Sequence, residues 1–271
     1  MYRIISKDSI IEESVDSRER RMLDKRRIRF FISNKFRKET GRMYLGHIWL
    51  VLDPLIYSLL YLFVLTVIRA KIDPASIFIG VTIYRVLQTS LFYGIKALAE
   101  DNGGIMCERI TSKVLIKASI LHLILSTFLQ TICTSLLLVY VLDASPLGGL
   151  AYLLASQLLG IFSFGLGLMI SPLTMKIPDL NSIISYTLRL GFFVSPTMYP
   201  MTKMKGIHYT FNEFNPFSYF AEATRYYSGT PSTYSQLDFT IFAALVTVLT
   251  IITVIAISKY DSRRWRLTTW S

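Results

Sequence analysis

Three histidines, His47, His122 and His208, and two cysteines, Cys107 and Cys133, are the side chains best suited to hold a metal or form a covalent intermediate. Their spacing supports neither. There is no CxxC pair, no HExxH, no GxSxG and no paired acidic motif, so metal-assisted and nucleophilic catalysis both lack their signatures. No P-loop is present, which removes that route to nucleotide hydrolysis. His122 lies inside an apolar run, where a lone histidine reads more readily as a donor between helices than as a ligand. The expectation is a chain that is not an enzyme and that carries no cofactor and no metal.

The remaining chemistry is charge and aromaticity inside apolar surroundings. Asp53, Arg85, Lys96 and Arg189 fall within or at the ends of apolar runs. Lys96 can snorkel to an interface and Asp53 sits near a run's start, whereas Arg85 and Arg189 lie deeper. A carrier driven by sodium or protons wants deep carboxylates, and none is deep here, which counts against secondary transport. The two arginines have two readings: they meet an anionic substrate, or they pair with carbonyls. Aromatic residues make up 13% of the chain, enough to recur within the apolar runs as well as at their ends. Tyr57, Tyr61, Tyr84, Phe92, Tyr93, Phe192 and Phe193 fall within such runs, and Tyr199 at the mouth of one. Aromatic faces stack on sugar rings and also populate membrane interfaces. The interface reading explains Tyr199 well and Tyr57 and Tyr61 less well. Tyr57 and Tyr61 are four apart and share one helix face.

These residues need elements that cross a bilayer. The chain of 271 residues is 52% hydrophobic and only 17% charged, and its mean hydropathy of +0.45 is high for a soluble domain. Its apolar residues come in runs near the length that crosses about 30 Å of hydrocarbon as a helix. Six spans are expected: Ile48 to Ile68, Ser76 to Ala99, Val114 to Leu142, Leu147 to Met175, Leu180 to Met198 and Phe239 to Ser258. Small residues in the fourth span, Ser156, Gly160, Ser163, Gly165 and Gly167, allow close helix contact. Residues 199–236 are too polar for a span and too aromatic for a plain loop, so short re-entrant helices are expected there. Ahead of the first span, Arg27 to Lys38 clusters Phe30, Phe31 and Phe36 among Arg and Lys, as an amphipathic helix lying in the interface would. The fold class is therefore an all-α membrane protein. A polar tail over 1–26, loosely helical or flexible, precedes a transmembrane domain over 27–260 and a basic tail over 261–271. The first forty residues lack an apolar signal core, so no cleavable leader is expected.

The formal net charge of +11 crowds into the tails, which suits anionic headgroups better than nucleic acid. Thirteen Lys or Arg lie between Arg3 and Arg42, and Lys259, Arg263, Arg264 and Arg266 follow the last span. An even span count puts both tails on one side, and the positive-inside rule makes it cytoplasmic. The loops contrast less, with Arg109, Lys113, Lys117 and Lys176 inside and Arg69, Lys71, Lys203, Lys205 and Arg225 outside.

The segment Tyr44-Leu45-Gly46-His47-Ile48-Trp49-Leu50-Val51-Leu52-Asp53-Pro54-Leu55 resembles the LG-x-x-W-x-x-L-x-P-L signature of ABC-2 type permeases, especially exporters of capsular polysaccharide, O-antigen and teichoic acid. The basic aromatic stretch before it resembles that family's interface helix. Pro178-Asp179-Leu180 with Phe193-Val194-Ser195-Pro196-Thr197-Met198-Tyr199 looks like its D…F-x-S-P-x-x-Y, and Asn215-Pro216 with Arg225 like the NP…R of its external re-entrant hairpin. Asp101 to Lys113 sits where the family has its cytoplasmic coupling helix; Asn102 is kept and the rest is altered.

The resemblance implies a multi-pass protein of the cell (inner) membrane that pairs as a homodimer with two copies of an ABC ATP-binding subunit. A lipid-linked glycan is the implied substrate, amid membrane lipids. Tyr57, Tyr61, Tyr84, Phe92, Tyr93, Arg189, Phe192 and Phe193 would line the pathway, and Asn102, Glu108, Arg109 and Lys113 would meet the ATPase. Three alternatives remain at this point. One is an ABC-2 permease for a small hydrophobic drug or lipid, and another is a membrane scaffold. The third, an intramembrane enzyme on lipid-linked sugars, needs an acid or histidine cluster that the sequence lacks.

Overall fold

The computed structural model describes residues 2–6, 9–13, 17–40, 73–97 and 112–262, with scattered positions between 48 and 63. Most of the expected first span, including Tyr57 and Tyr61, lies outside the described residues. So do Asn102, Glu108 and Arg109 and the side chain of Lys113.

Local sequence sets the helix starts. Asp73 caps α2 (Pro74–Lys96) by accepting from Ser76 N at 3.1 Å, and Ser145 caps α4 (Pro146–Lys176) by accepting from Gly148 N at 3.0 Å. In each case proline takes the first helical position, where its missing N–H costs least. Between them α3 (Ser112–Tyr140) leads to a turn in which Asp143 adopts a positive φ of 52°. After α4, Asp179 opens the short α5 (Asp179–Val194). The expected fifth span runs on to Met198, but the helix stops at Val194. Pro196 disfavours helical geometry at Ser195, which turns extended. The sixteen residues of α5 reach about 24 Å, short of a full hydrocarbon core.

Four described helices are long and apolar enough to cross a membrane: Pro74–Lys96, Val114–Tyr140, Pro146–Lys176 and Phe239–Ser258. They match the expected second, third, fourth and sixth spans. The burial of α3 is inverted relative to a soluble protein. On α3, Ser119, His122, Ser126, Thr127, Thr131 and Thr134 are buried, while Leu121, Leu125, Phe128, Leu129 and Leu136 face outward. That arrangement is stable only where the surroundings are hydrocarbon. The buried polar side chains form a seam with α4. Thr127 donates to Gln157 Oε1 and Gln157 Nε2 to Thr131 Oγ1, both at 3.3 Å, and Ser135 donates to the Gly149 carbonyl at 2.9 Å.

The most extensive helix pair is α2 with α4. Its backbones approach so closely at Gly94 and Gly167 that a Cβ on Gly94 would lie 2.2 Å from the Phe164 carbonyl oxygen, and one on Gly167 2.1 Å from that of Leu91. Residues 199–236 hold two short helices, α6 (Ile207–Glu213) and α7 (Pro216–Ser228), the second ended by Gly229 in the left-handed region at φ 79°. The final helix, α8 (Phe239–Ser262), meets them through Phe242, which stacks on Tyr219 at 5.1 Å.

Ahead of the bundle, a β-hairpin pairs β1 (Tyr2–Ser6) with β2 (Ser9–Glu13) where a flexible or loosely helical tail was expected. The helix α1 (Ser17–Thr40) begins ten residues before the basic aromatic stretch. Phe31 is buried against Val114 and Ala118 of α3, and Phe30 is 66% exposed. Lys35 donates to Ser119 Oγ at 2.9 Å, so α1 docks through a mixed face rather than a purely apolar one.

Candidate functional site

The cleft lies between α2 and α5 and has a volume of about 780 Å³. Arg85, Gln88, Phe92 and Lys96 succeed one another at helical spacing and present one face of α2 to it. On α5, Ser185, Leu188 and Arg189, then Phe192 and Phe193, form the opposite wall. The expected pathway residues Tyr84, Phe92, Tyr93, Arg189, Phe192 and Phe193 therefore come together, all lining one cleft.

Their surroundings differ. The Tyr84 ring is buried edge-to-face between Phe192 at 5.3 Å and Phe217 at 5.1 Å, and its hydroxyl donates to the Leu188 carbonyl at 2.7 Å. Gln88 Nε2 reaches the same carbonyl at 3.5 Å. Gly191 makes this possible, because a Cβ there would lie 2.7 Å from the Tyr84 hydroxyl. Tyr84 and Phe192 thus clasp α5 to α2. Phe193 is 57% exposed, and Arg189 is exposed with its guanidinium 5.5 Å from the centre of the Tyr186 ring. Arg85, Lys96 and Arg189 line the cleft, and none of its described lining residues is acidic.

A second polar constellation ties several distant segments of the fold together. Arg225, counted above among the outer-loop charges, is fully buried. It donates to the Ser76 carbonyl at 3.0 Å, to the Thr197 carbonyl at 3.1 Å and to Glu222 Oε1 at 2.8 Å. Glu222 in turn accepts from Met201 N at 3.0 Å and Thr233 N at 2.8 Å. Sequence reasoning missed Glu222, a fully buried carboxylate outside the expected spans. Its only signal was the i,i+3 spacing to Arg225 on a helix. Nearby, Val194 O at the end of α5 is met by His208 Nε2 at 2.7 Å and Asn212 Nδ2 at 2.9 Å. At the start of α8, donation by the Thr240 hydroxyl at 2.7 Å and backbone N–H at 2.8 Å holds the exposed Asp238 carboxyl below the usual carboxylate range.

His122 is fully buried, with its ring 4.3 Å from that of Phe36 on α1 and 5.6 Å from that of Tyr93 on α2. Among the described residues no three His, Cys, Asp or Glu side chains gather to hold a metal.

The sequence profile of the ABC-2 type transporter matches residues 27–228, from within α1 to the end of α7. The chain belongs to the ABC-2 type transporter family. A comparison with curated proteins finds no match. Membership makes the chain a multi-pass membrane component of a transporter, a part that is not itself catalytic, and it implies an ABC ATP-binding partner. In this ABC-2 chain the cleft's aromatic and cationic walls come from two helices within the matched region.

Proposed function

We propose that this ABC-2 chain is the permease subunit of an exporter that moves a lipid-linked polysaccharide across the cytoplasmic membrane, powered by a separate ATPase. The observation that carries the proposal is the cleft between α2 and α5, where aromatic rings alternate with hydrogen-bonding and cationic side chains. Sugar rings present both C–H faces and hydroxyls, and such a wall offers partners for both. A purely hydrophobic cargo would leave Ser185 and Arg189 without polar partners on the ligand.

In this reading the chain has six spans and both termini in the cytoplasm, with α6 and α7 as the external re-entrant hairpin. Two copies form the pathway with two ATPase subunits. Tyr57 and Tyr61 extend the aromatic lining from the first span, and Asn102, Glu108, Arg109 and Lys113 dock the ATPase. Support for the hairpin comes from its burial: Phe217, Tyr219 and Phe220 are inside the fold, as a polar-ended helix at membrane depth requires.

Purification of the tagged chain from native membranes under mild detergent, with mass spectrometry of the eluate, tests the division of labour. The expected result is an ABC ATP-binding subunit in a ratio of one to one with the chain. A chain that purifies without an ATPase contradicts the proposal and favours a scaffold.

A further inference from the structure

Arg85 is the central residue of α2, and Arg189 faces the same cleft from α5. A cation placed midway along a membrane helix is costly unless something compensates it. The Arg189 guanidinium is exposed beside Tyr186 and forms no ion pair among the described residues. Lys96 lies at the other end of the cleft, about 16 Å from Arg85 along the helix.

This spacing separates two possible sources of negative charge. A lipid carrier keeps its phosphate at headgroup depth, where Lys96 is the cation in reach. The Leu188 carbonyl meets Tyr84 and Gln88, so Arg189 stands level with the middle of α2, among the aromatic residues, where the passing polymer rather than the carrier's headgroup comes into contact. Neutral sugars would need only the rings and the neutral polar groups of Gln88, Thr89 and Ser185. A guanidinium adds a planar fork that matches carboxylate and phosphate oxygens.

Resting on the proposed glycan-export function, we infer that the exported polymer is anionic along its length, and that Arg189 is the position that recognises its repeating carboxylate or phosphodiester groups. Arg189 is a specificity-determining residue: it binds a charged repeat and stacks on Tyr186 between one repeat and the next. Its exposure leaves room for that exchange.

Binding to the full chain in lipid nanodiscs, followed by thermophoresis, tests this with hexagalacturonate, maltohexaose and farnesyl pyrophosphate as probes. Hexagalacturonate is expected to bind about tenfold tighter than maltohexaose, the size of one charge-assisted contact. Arg189→Gln should bring that ratio to within about threefold, chiefly by weakening hexagalacturonate, and Arg189→Lys should keep most of it. Farnesyl pyrophosphate should bind equally well to wild type and Arg189→Gln. Equal binding of the two glycans to the wild type overturns the inference and leaves glycan export standing. A loss confined to farnesyl pyrophosphate in Arg189→Gln also overturns it, by assigning the oxyanion to the carrier. If neither glycan binds, the glycan-export reading fails, and the inference with it.

Discussion

Glu222 and Arg225 meet groups from four separate segments: the start of α2, the turn at Thr197 and Met201, α7 itself, and Thr233. Both side chains are fully buried, so each is the main compensation for the other's desolvation. Removing one partner of such a pair typically costs about 3–5 kcal/mol, because the second charge is left uncompensated. Glu222→Gln is therefore expected to lower the thermal denaturation midpoint in detergent sharply. An apolar double variant at both positions should not recover it, because the backbone groups at Ser76, Thr197, Met201 and Thr233 lose their partners too. A Glu222→Gln protein with the wild-type midpoint would contradict this assignment. Neither partner's role was legible from the sequence. Arg225 fell in a polar, aromatic segment that looked external, and burial of a charge depends on contacts with distant segments. Tyr84 shows the reverse case. Its place among mid-span aromatics was readable from spacing, but its donation to the Leu188 carbonyl depends on the absence of a side chain at Gly191.

The helices were legible where run length decides them. Four apolar runs became helices of 20 to 31 residues, able to span, and three helix starts follow from a capping residue before proline, at Asp73, Ser145 and Asn215. The end of α5 was less legible, because the apolar run continues through Phe193 and Val194 while Pro196 decides the geometry. The N-terminal hairpin was not foreseen. Its charges suggested a solvated tail, yet the strand register puts Ile4 opposite Ile11 and Ile5 opposite Ile10. Small residues in the fourth span signalled close packing, and the close approach falls at Gly94 and Gly167. Gly94→Leu would force α2 and α4 apart against backbone, a change that costs on the order of 1–3 kcal/mol or more. Loss of monodisperse protein on size exclusion is the expected outcome. Gly160→Ala serves as the control, since its Cβ would meet the Ser90 hydroxyl at 3.2 Å, a side chain that can turn aside, and Val86 Cγ1 at an ordinary contact distance of 3.5 Å. Equal yields of the two variants would show that the α2–α4 contact does not limit the fold.

At the scale of the molecule, two parts are fastened differently. The pair α2 and α4 packs closely along its length, joined by α3, α7 and α8. The short α5 contacts α4 sparsely and meets α2 through the Tyr84 clasp, and the cleft opens between it and α2. A transporter needs one wall of its pathway to move against a fixed frame; in the proposed function α5 is that wall and the α2–α4 pair is the frame. The energy for that movement must come from elsewhere in the complex, as membership of the ABC-2 family implies. In the proposed function this movement carries a lipid-linked glycan outward. The decisive experiment places the purified chain and its co-purifying ATPase in vesicles with the cytoplasmic face outward, and follows a labelled lipid-linked glycan into the lumen. The glycan is expected to become protected from externally added glycosidase only when ATP is hydrolysed. A glycan that stays accessible while the same vesicles accumulate a hydrophobic drug on ATP addition would contradict it.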